Sequence, residues 1–463
     1  MNQREKQMLS MPIPRLVFSF SIPAIIGMLV NATYNVVDRY WIGKLNNVDA
    51  MSGIGLTMPM STIILGFMLL IGIGTTASIS IRLGEKRHED AEKLLGNGLT
   101  LSLVAGLVLT LAGYLFLGPI LTAFGASSKT MPYARDYASI ILLGTTFNTI
   151  GFAMNHTIRG GGNPRRSAST QLLGAILNMI LDPLFIFGLD MGVRGAAIAT
   201  IISQTISAIW VMSYYAGKGS PVRLRFSRMV LQWQSARDIL SIGASPFLLQ
   251  IAASGIMVLA NRALRDTGGD VAIGAMTVIN SISILFFMPI FGINQGMQPI
   301  LGYNFGARQY DRVRETLAYG VKLATGFVFL GFLIVQIFPA AIIRLFINDP
   351  ELVQVGTFGL RVFLSMLPLL GFQIVATNYF QSVGKARLAI LGSMLRQVII
   401  LLPLYLVLPR WFGLSGVWFA SPIADFLSFV IAVILISREM RHLPRTAAAA
   451  SGQAEEICSE QGQ

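Results

Sequence analysis

Apolar stretches long enough to cross a lipid bilayer recur along this chain, from about residue 15 to about residue 437. Some 20 apolar residues coiled as a helix match the hydrocarbon thickness of a membrane. Spans of this kind are predicted near 15–42, 51–81, 94–117, 133–157, 167–188, 195–216, 239–264, 272–303, 316–340, 356–381, 388–408 and 413–437. Only 12% of the 463 residues are charged and 54% are hydrophobic, whereas a soluble domain carries about 25% charged residues. The longest polar segments are the two ends and roughly 217–238, so no soluble domain has room to fold beside the spans. Residues 1–14 are polar and show no apolar signal segment or small-residue cleavage site, so the first span is expected to stay in the mature protein.

A net charge of +13 could indicate a nucleic-acid partner, but its distribution excludes that reading. With the N-terminus placed in the cytoplasm, 23 of the 35 Lys and Arg residues fall on that side and seven on the other. Such asymmetry places both termini of a multi-pass protein in the cytoplasm. The only cysteine, Cys458, lies in the polar tail, so no internal disulfide is possible. His88, His156 and His442 are scattered, and no cluster has metal-ligand spacing.

The two halves of the chain repeat each other. Gly84 with Lys86, Arg87 and Asp90 parallels Gly306 with Arg308 and Asp311, and Gly162 with Arg165 parallels Gly384 with Arg387. Pro23 parallels Pro246, Asp38-Arg39 parallels Asn261-Arg262, Gly74 parallels Gly296, Pro183 parallels Pro403 and Gly195 parallels Gly416. Six spans is an even number, so both halves insert with one orientation and a pseudo-twofold axis runs along the membrane normal. The expected domains are an N-terminal lobe at 1–216, a cytoplasmic linker at 217–238, a C-terminal lobe at 239–440 and a polar tail at 441–463.

Chemistry breaks the repeat. Asn178 and Asp182 lie inside the apolar run 172–189, four residues apart and so on one helix face. A carboxylate at that depth costs on the order of 3 kcal/mol by insertion scales. Pro183 leaves a carbonyl one turn back without its amide partner and is expected to kink the helix there. Asp38 is replaced by Asn261 in the second half, and the counterparts of Asn178 and Asp182, near residues 400–404, are apolar. At 1.5 Å per residue, Asp38 and Asp182 both lie roughly 10 Å in from the outer surface, with Thr200 at similar depth. Two carboxylates, an amide and a hydroxyl at one level could hold Na⁺ through oxygen ligands, or share a proton.

Asp38-Arg39-Tyr40-Trp41-Ile42-Gly43, Gly84 with its basic loop, Arg159-Gly160-Gly161-Gly162-Asn163-Pro164-Arg165, and Asn178 with Asp182-Pro183 occur in an order and spacing that resemble the multidrug and toxic compound extrusion (MATE) family over nearly all of residues 14–437. The resemblance implies the MATE fold, an all-α polytopic membrane protein with 12 transmembrane helices in two pseudo-twofold-related six-helix lobes. It also implies a pump of the prokaryotic plasma (inner) membrane that exchanges H⁺ or Na⁺ for organic, often cationic, drugs. In members with an N-lobe cation site, the positions matching Asp38, Asn178, Asp182 and Thr200 bind the coupling ion. Another branch has carboxylates in spans 7 and 10; this chain has none there and is similar to the DinF/MepA-like branch.

Each signal also has a plainer reading. Asp182 would be structural if an arginine neutralised it, but no basic residue lies at its level in spans 2–6. Asn178 and Thr200 would serve as interhelical hydrogen bonders. Asp425 in span 12 has Arg396 in span 11 as a candidate partner, expected to be a structural ion pair. Met288, Gln295 and Asn378 are the candidates for a substrate cavity, in a region whose Met and Phe side chains suit an adaptable surface. Together these features read as a cation-coupled antiporter exporting lipophilic, mostly cationic compounds by alternating access, with membrane lipids around it. No cofactor, enzymatic activity or obligate protein partner is expected. The rival is a lipid or lipid-linked-oligosaccharide flippase, kept open by Arg39, Arg262, Arg361 and Arg396.

Overall fold

The computed structural model describes residues 3–45, 47–217, 220–346 and 349–444, and among these there is no strand. The tail from residue 445, with Cys458, lies outside the described residues. A short helix α1 (Gln3–Ser10) leads into α2 (Ile13–Gly43), α3 (Val48–Gly55), α4 (Met58–Gly84), α5 (His88–Leu115), α6 (Leu117–Ala123), α7 (Met131–Gly160), α8 (Pro164–Pro183) and α9 (Gly192–Ala216). The second half follows as α10 (Trp233–Gly269), α11 (Val271–Gly306), α12 (Tyr310–Ile337), α13 (Pro339–Arg344), α14 (Pro350–Phe363), α15 (Leu367–Ser382) and α16 (Ala386–Met394). Two last helices, α17 (402–412) and α18 (414–442), meet at Gly413, whose φ of 56° ends the first.

Ten of these elements are long and apolar enough to cross a membrane, and the pair α14 and α15, bent by 48°, makes an eleventh. The last element so counted runs 57 residues, Ala386–His442, about twice what one crossing needs. Its break at Gly413 makes two crossings of it, and the total agrees with the twelve expected.

The repeat seen in the sequence is written into the backbone. Left-handed φ angles occur at Lys86 (60°) and Arg308 (57°), at Gly162 (84°) and Gly384 (77°), and at Gly192 (55°) and Gly413 (56°). Lys86 and Arg308 are not glycines, so the turn between the second and third spans of each half imposes a conformation that an L side chain rarely takes. Phe116 and Phe338 interrupt matching helices with φ −109° and −118°.

At Pro183, the site of the expected kink, the helix changes its hydrogen-bond pattern. After Pro183 the helix widens into a π-helical turn, Leu184–Gly188, and the second half has a π segment at Leu395–Leu401, ahead of Pro403. A π turn takes up the residue whose regular hydrogen bond is lost, so the helix continues with a bulge.

The chain packs into two compact units. One is built on Ile22–Gln250 and the other on Lys6–Ser21 with the chain from Ile251 onward. The first turns of α2 thus belong with the second unit and those of α10 with the first. Glycine makes this packing possible. In the first unit a Cβ on Gly74 would strike the carbonyl oxygen of Ile239, and one on Gly243 would strike that of Leu70. In the second unit a Cβ on Gly296 would lie 2.5 Å from Ser21 Oγ. Small residues let membrane helices approach backbone to backbone, where dispersion contacts replace a missing hydrophobic drive.

Polar side chains secure the ends of these crossings. In the first unit Asn97 Oδ1 accepts from Gln232 N (2.7 Å), and Thr100 Oγ1 donates to Met229 O (2.7 Å). In the second, the Arg312 guanidinium donates to Met8 O (2.9 Å), Met11 O (2.8 Å) and Asn304 Oδ1 (3.1 Å).

Candidate functional site

The four polar residues grouped by depth come together in the first unit. Asn178 and Asp182 lie one turn apart on α8, and the Asn178 amide donates to Asp182 Oδ1 at 3.0 Å. The same amide donates to Thr200 Oγ1 of α9 at 3.4 Å, while Thr200 Oγ1 donates to the Ala196 carbonyl one turn back (3.0 Å). Asp38 of α2 lies beside Asp182, close enough for the two carboxyls to interact directly. Asp182 is 0% exposed and Asn178 2%.

What the site leaves unpaired is informative. Asp38 Oδ1, Asn178 Oδ1 and Asp182 Oδ2 are buried and have no hydrogen-bond donor among the described residues. All three are acceptors. An orphaned buried polar group costs about 1–3 kcal/mol, and more when it is charged. Oxygen acceptors without a donor, on two acids and an amide, suit a hard cation or a proton. The nearest basic side chain, Arg39, follows Asp38 in sequence but is exposed, with Nη2 4.0 Å from Met58 Sδ.

Sequence reasoning missed Tyr137. It lies on α7 next to both Asp38 and Asp182, with Tyr34 nearby, and packs with Trp41 on the cluster of Ile42, Ile186 and Ala196. The depth argument would have reached it, since Tyr137 is six residues in from the start of α7 at Met131. Nothing in the sequence tells which face of α7 meets α2 and α8.

The remaining candidates lie in the second unit. Arg396, in the π segment, donates from Nε to Asp425 Oδ1 at 2.5 Å and from Nη2 to Ser421 Oγ at 3.3 Å. Asp425 is 1% exposed, so the expected ion pair is formed. By the register that pairs Arg165 with Arg387 and Gly195 with Gly416, the counterparts of Arg396 and Asp425 one repeat earlier are Gly174 and Gln204. There a Cβ on Gly174 would fall 2.5 Å from Ser207 Oγ, so close packing in one half becomes an ion pair in the other. Met288 and Gln295 are partly exposed on α11, and the Asn378 amide on α15 donates to the Asn294 carbonyl at 3.3 Å.

A profile of the MatE family matches residues 23–184 and 247–407, the two halves of the repeat. The chain belongs to the MatE family. Among MatE relatives, the multidrug export protein MepA of Staphylococcus haemolyticus (strain JCSC1435) is 28% identical over 422 residues, which cover 91% of this chain and 93% of that protein. The structure of the MATE multidrug transporter DinF-BH, solved in complex with a dye, superposes with a TM-score of 0.86 at 41% identity, covering 93% of this chain and 96% of the other. A MOP superfamily transporter from Pyrococcus furiosus has the same fold, with a TM-score of 0.88 at 24% identity over 94% of this chain and 98% of that one. MatE membership identifies a multi-pass transporter of the DinF- and MepA-like kind.

Proposed function

We propose that this MatE protein is a cation-coupled antiporter that exports lipophilic, mostly cationic organic compounds. Asp38, Asn178, Asp182 and Thr200 bind the coupling ion, H⁺ or Na⁺. One observation carries the reading: three buried acceptor oxygens at Asp38, Asn178 and Asp182 lack a donor among the described residues. When empty, the site holds two neighbouring carboxyls in a low-dielectric setting, where repulsion between like charges is strong. One bound cation removes that repulsion and meets the unpaired oxygens. Its binding free energy therefore differs between conformations that hold the two acids together and those that part them. Such a difference is what lets an ion gradient shift a conformational population.

Cargo of small organic molecules is supported by the dye bound to DinF-BH at 41% identity and by the export function named for MepA. Met288, Gln295 and Asn378 are proposed to face it. The protein works in the prokaryotic plasma membrane with both termini in the cytoplasm, on the side of the arginine-rich loops. A flippase is the less favoured reading, because Arg396, the only one of Arg39, Arg262, Arg361 and Arg396 that is not exposed, is engaged by Asp425. Purified protein in proteoliposomes, given an imposed pH or Na⁺ gradient separately, tests the proposal. Dye efflux driven by one gradient supports it, and efflux indifferent to both refutes it.

A further inference from the structure

Arg166 stacks on Trp210, with the guanidinium carbon 3.9 Å from the ring centroid. The two come from different helices. Arg166 is in the first turn of α8, where Asn163 Oδ1 accepts from its backbone N–H at 3.2 Å, and Trp210 lies in the last third of α9. Trp210 is 39% exposed and shares its surface with Ile209 (64%) and Ile206 (38%), which together make an apolar face on α9.

Among the described residues no carboxylate pairs with Arg166, and none of its guanidinium N–H groups donates to a protein acceptor. Stacking fixes the plane of the guanidinium while leaving its donor edge unused. The fold does not require the pair. One repeat later, by the register that pairs Arg165 with Arg387 and Gly195 with Gly416, the same positions are Leu388 and Ile431, and that crossing forms without the pair. Arg165, next in the chain, is exposed and also without an acidic partner among the described residues.

We propose that Arg166 and Trp210 form a binding site for the phosphate of an anionic membrane lipid, in the leaflet on the side of the arginine-rich loops. The guanidinium edge takes two phosphate oxygens side by side, a bidentate arrangement that an ammonium cannot copy. The indole supplies an apolar shelf at the level where tryptophan sits in membranes, and its acyl-facing neighbours Ile206 and Ile209 receive the chains. Trp210 lies six residues before the end of α9, about 9 Å along the axis, and Arg166 two residues from the start of α8. Both positions lie toward the ends of their helices that join the arginine-rich loops. Arg165 adds attraction to an anionic surface without fixing geometry.

Native mass spectrometry of the full-length detergent-purified protein tests the site, with phosphatidylglycerol, phosphatidylcholine and inorganic phosphate added in separate titrations. Wild type should retain at least one phosphatidylglycerol at concentrations where phosphatidylcholine is lost. Arg166→Gln should weaken that retention about tenfold, Arg166→Lys by an intermediate amount, and Trp210→Leu comparably to Arg166→Gln. Because the two substitutions act on different helices, misfolding of one variant leaves the other to decide. Equal retention of the two lipids by wild type, or unchanged retention in both variants, overturns the proposal. Saturation by millimolar inorganic phosphate with no preference for phosphatidylglycerol also overturns it, and marks a site for a free anion.

Discussion

The amide nitrogen of Asn178 stands 3.0 Å from Asp182 Oδ1, one helical turn away, and this bond sets which oxygens of the site stay open. The donor group is spent on Asp182 and Thr200, so the Asn178 carbonyl oxygen is left, like the free oxygens of Asp182 and Asp38, as an acceptor with no donor. An alanine at position 178 would remove an acceptor and release the Asp182 carboxyl from its fixed orientation.

Asn178→Ala should therefore weaken coupling without abolishing folding. Loss of one hydrogen bond to a charged group and one ligand corresponds to about a tenfold fall in apparent affinity for the driving ion. The gradient needed for half-maximal efflux in proteoliposomes reads this directly, and an unchanged value would remove Asn178 from the site.

Asp182→Asn keeps size and hydrogen bonding but removes the charge that a cation neutralises. Gradient-driven efflux should fall to background while the amount of protein in the membrane stays near wild type. Near-normal transport by this variant would contradict an ion site in the first unit.

The two halves should respond unequally at matching positions. Asp38 faces Asp182, whereas its repeat counterpart Asn261 is exposed. Asp38→Ala should abolish coupled efflux and Asn261→Ala should leave most of it. Equal losses would mean that both positions serve packing.

Arg396→Ala leaves Asp425, 1% exposed, without its cation. Breaking one side of a buried pair costs about 3–5 kcal/mol, which thermal unfolding in detergent should register as a clear fall in midpoint. Arg396→Ala combined with Asp425→Ala should recover part of that fall. A single variant as stable as wild type would show that the pair contributes nothing to the fold.

Gly243→Ala and Gly255→Ala make a matched test on one helix, α10. The Cβ at 243 would strike the Leu70 carbonyl, whereas the one at 255 would meet nothing within 4 Å. The first should destabilise by about 1–3 kcal/mol through forced separation of α4 and α10. The second should be neutral or slightly stabilising, since alanine favours a helix over glycine. Similar melting of both variants would deny the close crossing.

By itself the sequence determined the membrane class, the crossings, the repeat and the grouping of Asp38, Asn178, Asp182 and Thr200 as a candidate site. Each rests on short-range physics: apolar length against bilayer thickness, the cost of a buried charge, and the axial rise that puts Asp38, Asp182 and Thr200 at one depth. Axial position is legible because it follows from counting residues. Azimuth is not, because the direction a helix faces depends on its neighbours. Tertiary structure alone therefore brought Tyr137 to the carboxyls, spent the Asn178 donors so that only acceptors remain, and stacked Arg166 on Trp210. It also decided that the first turns of α2 and α10 pack apart from the rest of their own helices. That choice rests on backbone contacts at Gly74, Gly243 and Gly296, where the deciding feature is the absence of a side chain, and no hydropathy pattern records it.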